Sequence, residues 1–143
     1  MTSMFFKHFC GNDICSTAEE VKTVLNKDIN GVNEFIISNS PDNQYPYLSV
    51  LVNGKSAYIL YAPFDGSVSA GFQAYGEDED DFELDPNDIT IFYVNTPTEE
   101  IEISNEYVCS REKAIQVILE FMSCNELPSC YEGLPSCIEW EEL

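Results

Sequence analysis

At 143 residues the chain is long enough for one domain with a substantial core. It carries 26 Asp and Glu against 6 Lys and Arg, a formal net charge of −20 at pH 7, which argues against nucleic acid or an anionic membrane as a direct partner and in favour of a basic one. Its 44% hydrophobic and 13% aromatic content argues against disorder and against a merely salt-adapted surface.

Met4-Phe5-Phe6-Lys7-His8-Phe9 is apolar but broken by Lys7 and His8. It has no basic leader and no cleavable apolar stretch, so it reads as a strand and not a signal peptide. No apolar run approaches a membrane span, and a cytoplasmic location is expected. Ser16-Thr17-Ala18-Glu19 reads as a capping box. Ala18, Val21, Val24 and Leu25 follow at helical spacing, and Asn30-Gly31 supplies a stop. An amphipathic helix of about three turns is predicted.

The period then changes. Phe35, Ile36 and Ile37 mark a short strand over 34–38, and Ser40-Pro41-Asp42-Asn43 a turn. The runs 47–52 and 57–62 are nearly continuous in apolar residues, and Asn53-Gly54 between them is a strong hairpin signal. Two central strands covered on both faces are expected. After a turn at Pro63-Phe64-Asp65-Gly66, the residues Val68, Ala70, Phe72 and Ala74 alternate with polar ones, giving a strand with one inner face.

Glu77-Asp78-Glu79-Asp80-Asp81 is a run of like charges and reads as a solvated loop. It lacks the ligand spacing and central glycine of a calcium loop. Residues 89–94 form another apolar strand. In Glu99-Glu100-Ile101-Glu102-Ile103 the isoleucines face in and the acids out. Ser110 is placed to cap a second helix, with Glu112 in its first turn. That helix carries Ala114, Ile115, Val117, Ile118, Leu119, Phe121 and Met122 and is expected to be the better buried of the two. Pro128 ends the segment, Leu-Pro-Ser-Cys occurs at 127–130 and again at 134–137, and Ile138-Glu139-Trp140-Glu141 reads as a last strand. The resulting class is α+β: a single domain over 1–143, with a mostly antiparallel sheet of about five to seven strands and two main helices.

No catalytic constellation emerges. His8, the only histidine, sits among Phe6, Phe9 and Cys10 and reads as a packed strand residue before a base. The six cysteines, Cys10, Cys15, Cys109, Cys124, Cys130 and Cys137, form no Cys-x-x-Cys pair, so neither a zinc site nor a local nucleophile signature is indicated. Reduced thiols are the default without a secretion signal. With no Gly-rich phosphate loop either, no cofactor and no metal are expected.

The charge is unevenly distributed. Residues 1–76 hold seven acids and four bases, and residues 77–143 hold nineteen acids and two bases. The acidic half is therefore the candidate partner-binding face. Its residues are Glu77, Asp78, Glu79, Asp80, Asp81, Glu83, Glu100, Glu102 and Glu139, with Phe72, Tyr75 and Trp140 as aromatic anchors. Trp140 is read first as a core plug at the chain end and only second as an anchor.

Ser110-Arg111-Glu112-Lys113-Ala114-Ile115, Glu120-Phe121-Met122, Glu126-Leu127-Pro128 and Ile138-Glu139-Trp140-Glu141-Glu142-Leu143 together resemble the ending of immunity protein family 1, from bacterial polymorphic toxin systems. The stretch 47–58 and Gly71-Phe72-Gln73 resemble its central hairpin and following strand. The family pattern runs from Leu-Pro directly to the Trp segment, whereas this chain has the Leu-Pro-Ser-Cys block twice. The resemblance implies a small non-enzymatic cytoplasmic protein that binds and blocks a cognate basic toxin domain. Such toxins are often nucleic-acid deaminases, and nucleases also occur. A broader acidic nucleic-acid mimic and a cysteine-dependent enzyme are the competing expectations.

Overall fold

The computed structural model describes residues 3–39, 46–62, 71–76, 84–124 and 138–143. The turns read at 40–43 and 63–66, Val68 and Ala70, the acidic run 77–81, Glu83, and the Leu-Pro-Ser-Cys repeat with Cys130 and Cys137 lie outside the described residues.

In chain order the elements are β1 (Met4–His8), β2 (Gly11–Cys15), α1 (Ala18–Leu25), β3 (Val32–Ser38), β4 (Tyr47–Asn53), β5 (Ser56–Ala62), β6 (Phe72–Ala74), β7 (Ile89–Tyr93), β8 (Glu100–Ser104), β9 (Cys109–Ser110), α2 (Arg111–Cys124) and β10 (Trp140–Glu142). The main sheet runs β10-β6-β5-β4-β3-β1-β2, with β9 beside the start of β5. β7 and β8 form a separate two-stranded sheet. Every pairing is antiparallel. The α+β class and mostly antiparallel sheet expected from the sequence are present.

Local chemistry accounts for the element ends, with three shifts from the sequence reading. The cap of α1 is Thr17, one residue later than Ser16, and its Oγ1 accepts from the Glu20 N–H at 3.2 Å. Glu20 rather than Glu19 closes the box: its Oε1 accepts from the Ser16 N–H at 3.0 Å. The helix is eight residues long, shorter than predicted, because Asn26 already caps its C-terminus. Asn30 and Gly31, both at positive φ, turn the linker instead. In the β4–β5 hairpin Asn53 pairs with Ser56, so the two-residue turn is Gly54-Lys55, with Gly54 at φ 58°. Ser110 caps α2 as predicted, accepting from the Lys113 N–H at 3.0 Å.

Both helices pack on one face of the sheet. Val21, Val24 and Leu25 of α1 join Ala114, Val117, Ile118, Phe121 and Met122 of α2 over Phe6, Phe35, Ile37, Leu48, Val50, Val52, Ile59 and Tyr61. The strand residues alternate, as a pleat with one covered face requires. Each large side chain buried there contributes about 1.5–3 kcal/mol. Phe72 and Trp140 also turn toward this core, their rings 6.3 and 6.4 Å from that of Tyr61.

The opposite face is covered in part by the β7–β8 hairpin. Phe92, Leu51 and Val108 are buried between the layers, with Tyr58, Ile101 and Ile103 against them. The isoleucines of β8 therefore face in, as the sequence pattern predicted. Two side-chain contacts pin this layer: Asn53 Nδ2 donates to the Ile91 carbonyl at 2.9 Å, and the Asn95 N–H donates to Glu34 Oε1 at 3.1 Å. Both-face coverage of the central strands is thus real at Leu51 and Tyr58, and incomplete beyond them.

No helix among the described residues is long and apolar enough to cross a membrane.

Candidate functional site

Three groups of polar side chains stand out on the molecule. The first is the outer face of the β7–β8 hairpin. Ile91 opposes Glu102 and Tyr93 opposes Glu100. With Phe92, Ile101 and Ile103 turned inward, alternation puts Ile89, Ile91 and Tyr93 in one outward row and Glu100 and Glu102 in the next. Ile89 is 43% exposed, one of the few large hydrophobics so placed. Glu99, Glu100, Glu102 and Glu106 are exposed around this row, as are Asp85 and Asp88 at its base. From Ser56 to Ser110 the chain has no Lys, Arg or His, so no base on this layer neutralises them. The result is a small apolar and aromatic row rimmed by carboxylates, the arrangement of an electrostatically guided interface.

The second is a cleft of about 760 Å³ on the helix-free face, between the sheet and the tip of the hairpin. Its floor is Ile36, Ser49, Leu51 and Leu60, and its walls include Tyr47, Tyr58, Lys7 and Glu34, with Asn95 and Pro97 from the hairpin loop. Glu34 is half-buried, and burial raises its carboxyl above the ordinary range, against the lowering effect of the Asn95 N–H.

The third is a carboxylate hub at the sheet edge. Glu141 Oε2 accepts from Tyr75 Oη at 2.8 Å and Tyr107 Oη at 3.0 Å, and its Oε1 accepts from Gln73 Nε2 at 3.0 Å. Gln73 Oε1 in turn accepts from Tyr58 Oη at 2.8 Å. Gly76 makes this assembly possible. A Cβ there would collide with the backbone carbonyl of Val108, so only glycine lets the end of β6 lie against residues 105–108 and stack Tyr75 on Tyr107, rings 5.5 Å apart. The donors hold the Glu141 carboxyl below its ordinary value, and the carboxylate pushes the Tyr107 hydroxyl up to about 12.

The expected partner-binding residues thus divide. Glu100 and Glu102 are together on the outer hairpin face, and Glu139 is exposed beside β10. Tyr75 is half-buried, its hydroxyl committed to Glu141. Phe72 and Trp140 pack on the core from the helix side, which is the core-plug placement for Trp140. Glu77, Asp78, Glu79, Asp80, Asp81 and Glu83 fall outside the described residues. Ile89, Ile91 and Tyr93 share this outer face without being among the expected residues. Their signal was the alternation in Ile89-Thr90-Ile91-Phe92-Tyr93, where Phe92 rather than its neighbours faces in.

His8 is fully engaged. Its Nδ1 accepts from the Cys10 N–H at 3.1 Å, so its Nε2 carries the proton donated to Asp13 Oδ2 at 2.7 Å. No lone pair is left for a proton acceptor in this geometry. Lys27 Nζ shares the same Asp13 oxygen at 2.8 Å. Burial raises the Cys15 thiol to about 11, which leaves it protonated and unreactive at neutral pH. Among the described residues no cluster of three His, Cys, Asp or Glu could hold a metal ion.

The Asp13 contacts carry a pH signature. Hydrogen bonds from Lys27 first, then His8, lower its carboxyl below the ordinary 3.8. A lowered carboxyl stabilises the fold above the ordinary value, and that contribution disappears as pH falls through the lowered one. Asp13→Asn keeps the acceptor oxygen but not the charge. Its urea midpoint should lie below that of the wild type at neutral pH, and the two should converge as pH falls through the lowered Asp13 value. A gap that persists unchanged in acid would mean the charge is not its source.

Compared with known protein families and with characterised proteins, the chain matches none.

Proposed function

We propose that this protein is a non-catalytic immunity protein that binds and neutralises a basic toxin domain in the cytoplasm of the cell that makes it. The observation that carries the reading is the β7–β8 layer, where exposed Glu99, Glu100, Glu102 and Glu106 surround outward-facing Ile89, Ile91 and Tyr93 with no base in the whole stretch 56–110. An enzyme that grips nucleic acid must present a basic cleft. An acidic surface with an apolar centre complements that cleft in charge, and the apolar row supplies area that a field alone does not. Steering speeds capture, and the covered cleft then excludes nucleic acid.

The toxin class proposed first is a nucleic-acid deaminase, with a nuclease as the alternative, on the resemblance of 110–115, 120–122, 126–128 and 138–143 to immunity protein family 1. Neutralisation is tested in cells by expressing the toxin domain encoded beside this gene. Survival should require this chain, and the two should co-purify. Protection against unrelated basic nucleases as well would favour a general nucleic-acid mimic, and no protection at all would contradict the proposal.

A further inference from the structure

The β7–β8 sheet ends in an open strand. In an antiparallel ladder, alternate residues turn their N–H and C=O toward the partner strand or away from it. The Asn53 bond to the Ile91 carbonyl shows that Ile91 turns outward. The bonds Val94 N–H to Glu99 O and Asn105 N–H to Asp88 O place the inward pairs one residue to either side of this register. The opposing residues of β8 follow: Glu100, Glu102 and Ser104 direct their backbone groups away from β7. Among the described residues no other strand pairs there, and the backbone groups of these three residues make no further bond; the Ser104 side chain accepts from the Glu106 N–H at 3.4 Å.

Such an edge invites another strand, and proteins that must not use one protect it with charged side chains, lysine above all, or with proline or a bulge. β8 has no lysine, proline or bulge, and its charges are all acidic. It carries Glu100 and Glu102, both exposed, with Glu99 just before them. Those charges repel a second copy of the same edge and attract a basic one. We infer that β8 is a docking edge that takes up an extended, Lys- or Arg-bearing segment of the partner as an added β-strand. Backbone hydrogen bonds to Glu100, Glu102 and Ser104 then hold the segment, and the outward carboxylates select its basic side chains. This rests on the toxin-binding reading and specifies how the hairpin would engage.

Two variants separate the backbone from the charge. Ser104 has φ −58°, already suited to proline. Ser104→Pro therefore removes one edge N–H, together with the Oγ contact to the Glu106 N–H, without touching a ladder bond or a charge. The double variant Glu100→Gln, Glu102→Gln keeps the edge and removes the charge. With the neighbouring toxin domain, S104P should raise the dissociation rate by about tenfold and leave the salt dependence of association alone. The Gln pair should slow association. The amide of Glu102 should exchange more slowly in the complex. A wild-type complex in which S104P dissociates at the wild-type rate and Glu102 exchange is unchanged would overturn the docking edge while leaving toxin binding intact.

A second arm needs no toxin. A synthetic peptide of alternating Lys and Val, titrated against the labelled protein, should shift the β8 amides and not those of β2 or β10, the two terminal strands of the main sheet. Shifts spread over the whole acidic surface, or a dimer of the chain paired through β8, would also overturn it.

Discussion

Phe92→Ala is expected to destabilise the protein by about 3–5 kcal/mol, the usual cost of emptying a fully buried phenylalanine site. Phe92 is 0% exposed, and its ring lies 6.4 Å from that of Tyr58. Among the described residues it is the largest buried side chain of the small second core, with Leu51 and Val108 buried beside it. A cluster of that size has few neighbours to close over a cavity, so the loss falls on the attachment of one layer to another. Amide exchange should therefore rise at Thr90, Phe92, Ile101 and Ile103 well before it rises in β3 and β4. The acidic face would then be present in sequence but no longer held in place, and partner binding should fall with it. Uniform acceleration across both sheets would show instead that the two layers unfold as one unit.

The second large effect is expected at Asn33, whose side chain sits at 0% exposure with every polar atom in use. Its Oδ1 accepts from the Phe9 N–H at 3.0 Å and the Glu34 N–H at 2.8 Å, and its Nδ2 donates to the Lys27 carbonyl at 2.7 Å. One side chain thus ties the β1–β2 turn to the linker after α1. Asn33→Ala leaves those three part-buried backbone groups without the side chain that pairs them. At 1–3 kcal/mol for each group so stranded, a total of roughly 3 kcal/mol is expected. The check is a denaturant midpoint that falls with an unchanged slope. A loss below about 0.5 kcal/mol would mean that water replaces the amide.

How far the sequence was legible follows from which signals are local. Thr17 and Ser110 cap their helices through bonds to amides three residues on, so helix starts could be read to within a residue. The periodic apolar residues of α1, α2, β4 and β5 likewise announced their buried faces. β2 announced nothing: Gly-Asn-Asp-Ile-Cys has no alternation, and it is a strand because β1 supplies the pairing. What supplies the second layer was invisible for a similar reason. Ile101 and Ile103 declared an inner face but not what lay beneath it, and the apolar runs holding Leu51 and Tyr58 announced cover on both faces but not which element provides it. Glu141 shows the same limit in the site. Among so many acids nothing marked it, and only the close approach at Gly76 gathers Tyr75, Tyr107 and Gln73 around it. The acidic excess pointed to the second half of the chain, and Glu100 and Glu102 are where the described part of that half meets solvent beside apolar residues.

The central claim is that this acidic layer is aimed at a basic toxin domain, and the most direct test is a rate. The purified chain and the product of the adjacent open reading frame, the proposed toxin, would be mixed in stopped flow across a salt series from about 20 to 500 mM, over which screening shortens the range of charge interactions several-fold. The predicted result is a fast association that slows by about tenfold or more as salt rises, with a much smaller change in dissociation. An association rate indifferent to salt, or no complex at any salt, would contradict it.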